Sequence, residues 1–358
     1  MKSKFLILTI NIGSTSTKLG LFADEMPLFK ETVNHKKQEL SQLRNMTERQ
    51  SFRRQVIDRI LAKHPENGKT IDLIVSRGGL THPLNSGPYL INDAMCQDLK
   101  GAKYGWHPSN LGPLIAHQMG EEMEVPAIIF DSPVTDEMEQ IARISGLKEF
   151  ERKAAFHVLN QKSAAKKAAR KFGKSYENMA FIVCHLGGGI TICAHRKGRI
   201  IDGGHGLNEG PFTPQRTGSL PLKDVIELCF SGRFTKDELE EHLMSHGGIV
   251  SYLGTHDMKQ IEENIKDGDK EAHLIIRAMC YQISKDIGAM ASVLRGKIDA
   301  IVLTGNLCYS TLIVDEIKSN IDFLAPIEIF PGEDELENLA LGGLEVLRSK
   351  DLSAIQAY

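Results

Sequence analysis

Residues 5–22 read FLILTINIGSTSTKLGLF, which is an apolar run, a turn of small polar residues and a second apolar run. The same order returns in residues 181–194, FIVCHLGGGITICA. When the two turns are aligned on their first glycines, Asn11 falls opposite His185, and the offset is close to half of the 358 residues. A strand–turn–strand pattern that recurs at half the chain length predicts a duplicated architecture.

Both turns contain residues that leave backbone N–H groups uncovered. Glycine and other small residues allow several such groups to point into one concavity, which favours anion binding. The turn residues are Gly13, Ser14, Thr15 and Ser16 in the first copy and Gly187, Gly188 and Gly189 in the second. Neither turn carries the dinucleotide or Walker A fingerprint. The turns indicate two phosphate sites, and the alternative is a pair of tight hairpins that need glycine only for their geometry.

The composition is that of a globular protein with two domains. A chain of 358 residues exceeds the usual size of a single core, and its 41% hydrophobic and 25% charged residues are ordinary values. The net charge of −3 gives no reason to expect a nucleic-acid partner. The basic run at 162–174 is typical of the solvated face of a helix.

The cysteines and the N-terminal residues bear on the cellular compartment. The six cysteines form no CxxC motif and no spacing typical of a metal site, which favours a reducing compartment. The apolar run at 5–10 is too short for a signal peptide or a membrane span. We therefore expect a soluble cytoplasmic protein without a membrane partner.

Apolar runs typical of strands alternate with segments of helical period, which predicts an α/β fold. The predicted strands are 5–10, 71–75, 125–130, 181–184, 190–194, 300–304 and 326–330, and the clearest helices are 51–63, 108–123, 151–171 and 272–295. We expect a first domain at 1–154, completed by a C-terminal helix at 340–358, and a second at 155–339. Four strands end in polar residues, and ligands of open α/β sheets bind beyond such strand ends, so we expect one cleft there.

Several charged residues stand where they could act on a phosphoryl group. Arg77 follows a predicted strand and Arg216 lies in a loop without regular period; each could bind phosphate or carboxylate, or could be an ordinary surface arginine. Asp131 at a strand end is a candidate acid. His157 and His185 are candidate donors to a phosphoryl group, or structural histidines.

The acidic cluster at 333–337 precedes an apolar helix. It could compensate the helix dipole, or it could contact Mg²⁺, which prefers oxygen ligands.

The first turn, from Ile10 to Lys18, resembles the first signature of the acetate/butyrate kinase family, and residues 181–194 resemble the second. Further similarity, including the stretches at 77–79, 107–112 and 216–218, extends over essentially the whole chain. Within the family the chain looks like the shorter butyrate kinase branch, because acetate kinases carry R-V-V-H-G-G where this chain has Arg77-Gly-Gly.

The resemblance implies a duplicated actin-like ATPase fold, with two domains around a nucleotide cleft. It also implies ATP-dependent phosphorylation of butanoate or another short-chain carboxylate, and the reverse reaction in fermentation. Family members commonly form homodimers or larger assemblies. The alternatives are a kinase for branched-chain or other short-chain acids, a sugar kinase on the same fold, and a non-enzymatic actin-like nucleotide switch.

The resemblance also assigns roles to single residues. Asn11 and a C-terminal glutamate, with Glu335 preferred and Glu333 as the alternative, would hold Mg²⁺. Arg77 and Arg216 would contact the carboxylate and the phosphoryl group. Asp131 would orient this arrangement. His157 and His185 would bind the transferring group and the nucleotide, and Gly187, Gly188 and Gly189 would bind the nucleotide phosphates. Gly305 and Asn306 would lie on the adenosine side, and Trp106 would form a wall of the acyl pocket.

Overall fold

The computed structural model describes residues 4–64, 70–349 and 355–358. The chain divides into two compact units. Unit 1 consists of Met1–Asp136 and Asp334–Tyr358, and unit 2 consists of Glu137–Glu333. These bounds lie at 136/137 and 333/334, whereas the sequence placed them at 154/155 and 339/340. Residues after 136 belong to unit 2 because Met138 packs in one apolar cluster with Phe156 and Ile200.

Unit 1 is a six-stranded sheet with helices. Its elements are β1 Leu6–Ile12, β2 Ser16–Ala23, β3 Met26–Asn34, α1 Lys37–Ser41, α2 Met46–Ala62, β4 Leu73–Ser76, β5 Pro88–Leu90, α3 Asp93–Lys100, α4 Leu111–Met123 and β6 Ala127–Phe130, and, from the C-terminal part of the chain, α13 Glu335–Ser349. The strand order is β3-β2-β1-β4-β6-β5. Every residue of β1 and β4 is buried, as expected for central strands covered on both faces.

The C-terminal helix α13 covers one face of this sheet. Gly342 and Gly343 permit the close approach, since a Cβ at Gly342 would lie 2.5 Å from the Phe130 ring and one at Gly343 would lie 2.6 Å from Val75. The packing fixes the first residue of α13, Glu335, at the edge of unit 1 where β1 and β4 end.

Unit 2 is a five-stranded sheet with the order β11-β10-β7-β8-β9. Its elements are α5 Gln140–Arg143, α6 Val158–Lys171, β7 Ala180–Leu186, β8 Ile190–Arg196, β9 Arg199–Gly203, α7 Leu222–Cys229, α8 Lys236–Ser245, α9 Gly248–Leu253, α10 Met258–Lys266, α11 Lys270–Val293, β10 Ala300–Gly305, α12 Thr311–Ile321 and β11 Ile327–Pro331. The long helix α11 begins at the N-cap Asp269, whose side chain accepts a hydrogen bond from the Ala272 amide. Its stripe of Ile276, Met279, Ile283 and Ile287 is fully buried.

The two sheets repeat one topology. In unit 1, β1, β2 and β3 form an antiparallel meander, and β4 and β6 continue the sheet from β1 in parallel. In unit 2, β7, β8 and β9 form the same meander, and β10 and β11 continue from β7 in parallel. The α/β class and the duplication predicted from the paired turns are therefore confirmed.

Three local predictions differ from the structure. The C-terminal helix expected at 340–358 is α13, Glu335–Ser349, and residues 355–358 are not helical. The helix expected at 151–171 begins only at Val158, and residues 152–157 before it have no regular secondary structure. The basic run at 162–174 is not solvated throughout: the Lys162 side chain is 4% exposed, and its Nζ lies 2.8 Å from Glu137 Oε2. A buried cation requires such a paired carboxylate. Within the described ranges, no helix is long and apolar enough to cross a membrane.

Candidate active site

The strand ends of unit 1 bring four polar side chains together. Asn11 and Lys18 are directly opposite in the β1–β2 pair, so their side chains share one face of the sheet. Arg77 follows β4, which lies beside β1, and Glu335 begins α13. Glu335 Oε2 accepts hydrogen bonds from Asn11 Nδ2 at 2.5 Å and Lys18 Nζ at 2.9 Å, and Arg77 Nη1 donates to Glu335 Oε1 at 2.8 Å.

The charge state of Glu335 follows from these partners. Burial by itself would raise the pKa of its carboxyl group, but the positive charges of Arg77 and Lys18 outweigh burial and hold the pKa below the ordinary value. Glu335 is therefore an ionised carboxylate that is only 17% exposed.

Asn11 carries an oxygen whose bonding capacity is unused. Its Oδ1 atom is buried and has no hydrogen-bond partner within the part of the chain that the structure describes. An amide oxygen beside an ionised carboxylate is the kind of oxygen donor pair that suits Mg²⁺, which is usually held by one or two carboxylates together with substrate phosphates and water. No cluster of three or more His, Cys, Asp or Glu side chains among the described residues could hold a metal by itself. The donor set fits Mg²⁺.

The first turn is held from behind by a buried arginine. Gly13 N donates to Ser16 O at 2.9 Å and closes the turn. Arg53, which is 2% exposed, donates through Nη2 to the carbonyls of Gly13 and Ser14, each at 3.1 Å, and through Nη1 to Thr17 Oγ1 at 2.9 Å. Burial lowers the pKa of Arg53 to about 10. Because the Arg53 guanidinium binds two carbonyl oxygens of the turn, it stabilises the conformation of the turn.

Trp106 lines a cavity of about 240 Å³ in unit 1. The other walls include Ser14, Leu43, Pro108 and Leu111. The Arg49 guanidinium lies 5.4 Å from the centre of the Trp106 ring. The cavity is therefore mainly apolar with a cationic margin.

The segment that carries this cavity packs against the end of β4. A Cβ at Gly112 would lie 2.7 Å from Ser76 Oγ and 3.3 Å from the carbonyl oxygen of Arg77. Burial lowers the pKa of His107, and the charge of Arg77 adds to this effect. The wall formed by residues 106–111 is therefore adjacent to the strand that presents Arg77.

Asp131 holds a neighbouring loop. It follows β6 with a φ of 43°, and it is 5% exposed. Its Oδ1 accepts a hydrogen bond from Gly87 N at 2.9 Å. The ends of β1, β4 and β6, which carry Asn11, Arg77 and Asp131, lie side by side in the parallel part of the unit 1 sheet.

Two histidines stack in unit 2. The rings of His157, just before α6, and His185, on β7, have centroids 3.9 Å apart and an interplanar angle of 12°. His157 Nδ1 lies 3.0 Å from Thr191 Oγ1. His185 Nδ1 lies 2.8 Å from Asn160 Nδ2, and its Nε2 lies 3.4 Å from Glu333 Oε2.

The glycine turn of unit 2 lies against an arginine and one of these histidines. Gly187 N donates to Gly189 O at 3.1 Å. A Cβ at Gly189 would lie 2.5 Å from Arg216 Nη1 and 3.2 Å from His157 Cε1. Arg216 Nη1 donates to Gly206 O at 2.9 Å, and burial lowers the pKa of this guanidinium. The turn, Arg216 and His157 form a small cluster with a positive charge that suits an anion.

Gly305 and Asn306 follow β10 at the same edge of unit 2. Gly305 has a φ of 97°, and a Cβ there would lie 2.3 Å from the Leu186 carbonyl oxygen, so only glycine fits beside β7. Asn306 Nδ2 donates to Glu333 Oε1 at 3.2 Å. The two acidic residues therefore have different neighbours. Glu335 lies with Asn11 in unit 1, whereas Glu333 lies with His185 and Asn306 in unit 2.

Sequence reasoning assigned no role to four residues that contact these clusters: Lys18, Arg53, Asn160 and Gln161. Lys18 could have been found from the antiparallel register alone, since the hairpin places it opposite Asn11. Asn160 and Gln161 lie in the stretch at 156–162, which is part of the family resemblance, but the resemblance assigned them no role.

Comparisons with known proteins agree with this fold. A family model described as the Acetokinase family matches residues 135–340. A propionate kinase from Francisella tularensis is 18% identical, with a TM-score of 0.77 over 94% of this chain and 98% of that chain. The acetate kinase of Porphyromonas gingivalis is 18% identical, with a TM-score of 0.76 over 96% and 100%. The acetate kinase of Entamoeba histolytica is 17% identical, with a TM-score of 0.74 over 94% and 98%. The actin-like fold expected from the sequence is confirmed.

Proposed function

Because the chain belongs to the acetokinase family and is therefore a carboxylate kinase, we propose that it reversibly transfers the γ-phosphoryl group of ATP to a short-chain fatty acid, with butanoate as the preferred acceptor. The products are the acyl phosphate and ADP. The observation that carries the proposal is the Arg77–Glu335 contact beside Asn11 Oδ1, which has no hydrogen-bond partner among the described residues. It combines a cation for a carboxylate or phosphoryl group with oxygen ligands for a metal.

In this proposal unit 1 binds the metal and the acceptor. Asn11 Oδ1 and Glu335 would hold Mg²⁺, which when bound neutralises charge on the nucleotide phosphates. Arg77 binds the acceptor carboxylate through the donors that Glu335 leaves available, since guanidinium carries five N–H groups. Asp131 orients the loop at 87, and Ser14, Thr15 and Ser16 donate to phosphate oxygens.

Unit 2 binds the nucleotide and the group in transfer. The amides of Gly187, Gly188 and Gly189 cradle phosphate oxygens, and Arg216 and His157 neutralise the charge of the phosphoryl group. His185 supports His157 by stacking. Gly305 and Asn306 lie on the adenosine side.

The reaction needs no general base. A carboxylate is already ionised near neutral pH, so one of its oxygens forms the new bond to the γ-phosphorus while the bond to the ADP oxygen breaks, and no proton moves. Catalysis then consists of positioning and charge neutralisation. The cationic residues of the two clusters supply both.

The cavity beside Trp106 supports a larger acceptor than acetate. Its volume of about 240 Å³ and its leucine, proline and tryptophan walls suit an alkyl chain. The chain is also shorter after Arg77 than the acetate kinase signature. Kinases for branched-chain or other short-chain acids remain the alternatives, and the homo-oligomer expected from the resemblance stays a prediction.

A hydroxamate assay tests the proposal. The protein is incubated with ATP, Mg²⁺ and hydroxylamine, and acetate, propionate, butanoate, isobutyrate or glycerol is supplied in turn. Only acyl phosphates trap as hydroxamates, so we expect the highest kcat/KM with butanoate and no product with glycerol. A higher value with isobutyrate would favour the branched-chain alternative. A rate of ATP hydrolysis that does not depend on any carboxylate would favour the actin-like switch and overturn the proposal.

A further inference from the structure

The hydrogen bonds behind the stacked histidines have a direction that the structure determines. Neutral imidazole carries one N–H, on Nδ1 or on Nε2, and the partner of each nitrogen decides which form is present. A partner that can only accept or only donate fixes the direction of its own bond, and a buried hydroxyl next in the chain has a single hydrogen that needs an acceptor. Each histidine has a chain of partners that ends on such a group.

The first chain runs from Gln161 to His157. Gln161 Nε2 lies 3.0 Å from the Thr191 backbone carbonyl oxygen, which can only accept, so the orientation of the Gln161 amide group is fixed. The same Nε2 donates its second hydrogen to Thr191 Oγ1 at 2.9 Å, and Cys193 Sγ, a weaker acceptor, lies 3.3 Å away. Thr191 is 1% exposed, so its hydroxyl hydrogen needs an acceptor, and among the contacts of the described residues His157 Nδ1 at 3.0 Å is that acceptor. His157 Nδ1 therefore accepts, and Nε2 carries the proton of the neutral ring.

The hydrogen bond of the Gln161 side-chain carbonyl oxygen agrees with this direction. Its Oε1 atom can only accept, and it lies 2.9 Å from His195 Nε2, which must therefore carry a proton. His195 Nδ1 accepts from the Tyr176 hydroxyl at 2.8 Å. His195 is fully buried, and burial, with a smaller contribution from the charge of Lys162, holds its pKa well below the ordinary value. A neutral His195 satisfies every bond in the chain.

The second chain runs from Thr304 to His185. Thr304 Oγ1 donates to the Gly332 carbonyl oxygen at 3.2 Å, so its oxygen accepts from Asn160 Nδ2 at 3.3 Å. The same Asn160 amide donates to His185 Nδ1 at 2.8 Å. His185 therefore accepts at Nδ1 and carries its proton on Nε2, which lies 3.4 Å from Glu333 Oε2.

We propose that Gln161 with Thr191, and Asn160 with Thr304, are positioning residues that hold His157 and His185 as neutral imidazoles protonated at Nε2. Neutral rings avoid the repulsion that two imidazolium ions would have at a centroid distance of 3.9 Å.

The role of this arrangement in catalysis rests on the proposed function. His157 Cε1, the ring atom between Nδ1 and Nε2, is the ring atom nearest to Gly189, where Arg216 also lies, and Nδ1 is hydrogen-bonded to Thr191. An Nε2–H donor and the guanidinium would both favour phosphoryl oxygens. The opposite tautomer would present a lone pair to the same oxygens and would repel them.

Nitrogen NMR of the full chain, labelled with ¹⁵N-histidine, tests the assignment without reference to activity. Long-range spectra distinguish a protonated from an unprotonated ring nitrogen, and His157→Gln identifies the His157 signals by their loss. We expect an unprotonated Nδ1 and a protonated Nε2 near neutral pH. A protonated Nδ1, or a second protonated nitrogen in the same ring, would overturn the inference.

Variants test which residues hold the tautomer. Thr191→Val removes the hydroxyl at nearly constant shape, and Gln161→Glu removes the N–H groups, so we expect mixed tautomers of His157 in both and a kcat lower by about tenfold at nearly unchanged KM. Thr191→Ser should restore the single tautomer. Tyr176→Phe removes the hydroxyl that donates to His195, on the other side of Gln161 from Thr191, and should leave the tautomer of His157 unchanged. A single Nε2–H tautomer in Thr191→Val would contradict the assigned role.

The two proposals can fail separately. A protein with the expected tautomer but without carboxylate kinase activity would keep the positioning residues and remove the proposed function. An active kinase with His157 protonated at Nδ1 would do the opposite.

Discussion

Arg77 Nη1 and Glu335 Oε1 lie 2.8 Å apart, and this contact joins the end of β4 to the first residue of α13. The Arg77 side chain is 34% exposed, whereas Glu335 is 17% exposed. Glu335 thus serves as an internal anion that fixes one nitrogen of the guanidinium. The rest of the guanidinium remains accessible to a second anion, which in the proposed reaction is the acceptor carboxylate.

Loss of either arginine should reduce turnover without unfolding the protein. In Arg77→Ala or Arg216→Ala the missing charged donor costs about 3 to 4 kcal/mol in the activation barrier, so we expect kcat to fall by about 100-fold or more. The hydroxamate assay measures turnover, and thermal unfolding monitors the fold. Arg196→Ala, which removes a surface arginine paired with Glu139, is the control and should keep normal turnover. Near-normal kcat in Arg77→Ala would contradict the role of Arg77.

The two C-terminal glutamates should respond differently to magnesium. Glu335→Gln removes the carboxylate beside Asn11, so we expect the Mg²⁺ concentration for half-maximal activity to rise by about tenfold or more. Glu333→Gln, whose carboxylate lies with His185 and Asn306, should leave that concentration nearly unchanged and raise KM for ATP. Titration of each variant with Mg²⁺ at saturating substrates measures both effects. The reverse pattern would assign the metal to Glu333.

Glu335 should also contribute to stability in a pH-dependent manner. Its pKa in the folded protein lies below the ordinary value of 4.5, so its ionic contacts stabilise the fold fully above that pH. The contribution is lost as the pH falls through the lower pKa of the folded state, because the folded protein must then take up a proton.

Urea unfolding of wild type and Glu335→Gln from about pH 7 to about pH 3 measures this contribution. We expect the difference in unfolding free energy to shrink on acidification below 4.5. Glu240→Gln, at an exposed position paired with Lys236, serves as the control and should follow the wild-type curve. A constant difference between wild type and Glu335→Gln would exclude the ionic contribution.

Trp106 should limit the length of the acyl chain. Trp106→Leu enlarges the cavity that Pro108 and Leu111 also line, so we expect the optimum to move from butanoate toward longer acids while KM for ATP stays unchanged. Hydroxamate formation with acids of increasing length measures the shift. Leu147→Ala, which changes an exposed leucine of unit 2, is the control. An unchanged length profile in Trp106→Leu would remove the tryptophan from the acyl pocket.

The fold was largely predictable because its signal is local. The apolar runs of β1 and β7 and the polar turns after them are contiguous in sequence, and repetition at half the chain length revealed the duplication. Three strands, β3, β5 and β9, were not predicted. Pro88–Leu90 is too short for a periodic signal, β9 has only five residues, and β3 lies at the sheet edge with most of its residues exposed or half-buried. The start of α6 was misplaced because the composition upstream of His157 also suits a helix. In the structure that segment is irregular.

The site was predictable only as a set of separate residues. Arg77 and the acidic cluster at 333–337 could be named from their positions, but the pairing of Arg77 with Glu335 depends on how α13 packs against β4. Arg53 could not be found, because its burial behind the first turn follows from tertiary packing of α2 and has no sequence motif. Gln161 lies in a stretch that resembles the family, but its role follows from hydrogen bonds to β8, which the sequence does not show.

Two adjacent glycines of the second turn provide the most closely matched pair of variants. In Gly189→Ala the new methyl group would lie 2.5 Å from Arg216 Nη1 and would displace the guanidinium from its bond to Gly206 O. The displaced atom ends a flexible side chain, so we expect a normal unfolding temperature and a kcat lower by about 100-fold, as for loss of the charged donor itself. In Gly188→Ala the methyl group would meet no atom of the described residues within 4 Å, so Arg216 stays in place; we expect kcat near normal and a higher KM for ATP, because the methyl group narrows the phosphate cradle. Equal activities in the two variants would show that the position of Arg216 does not determine the rate.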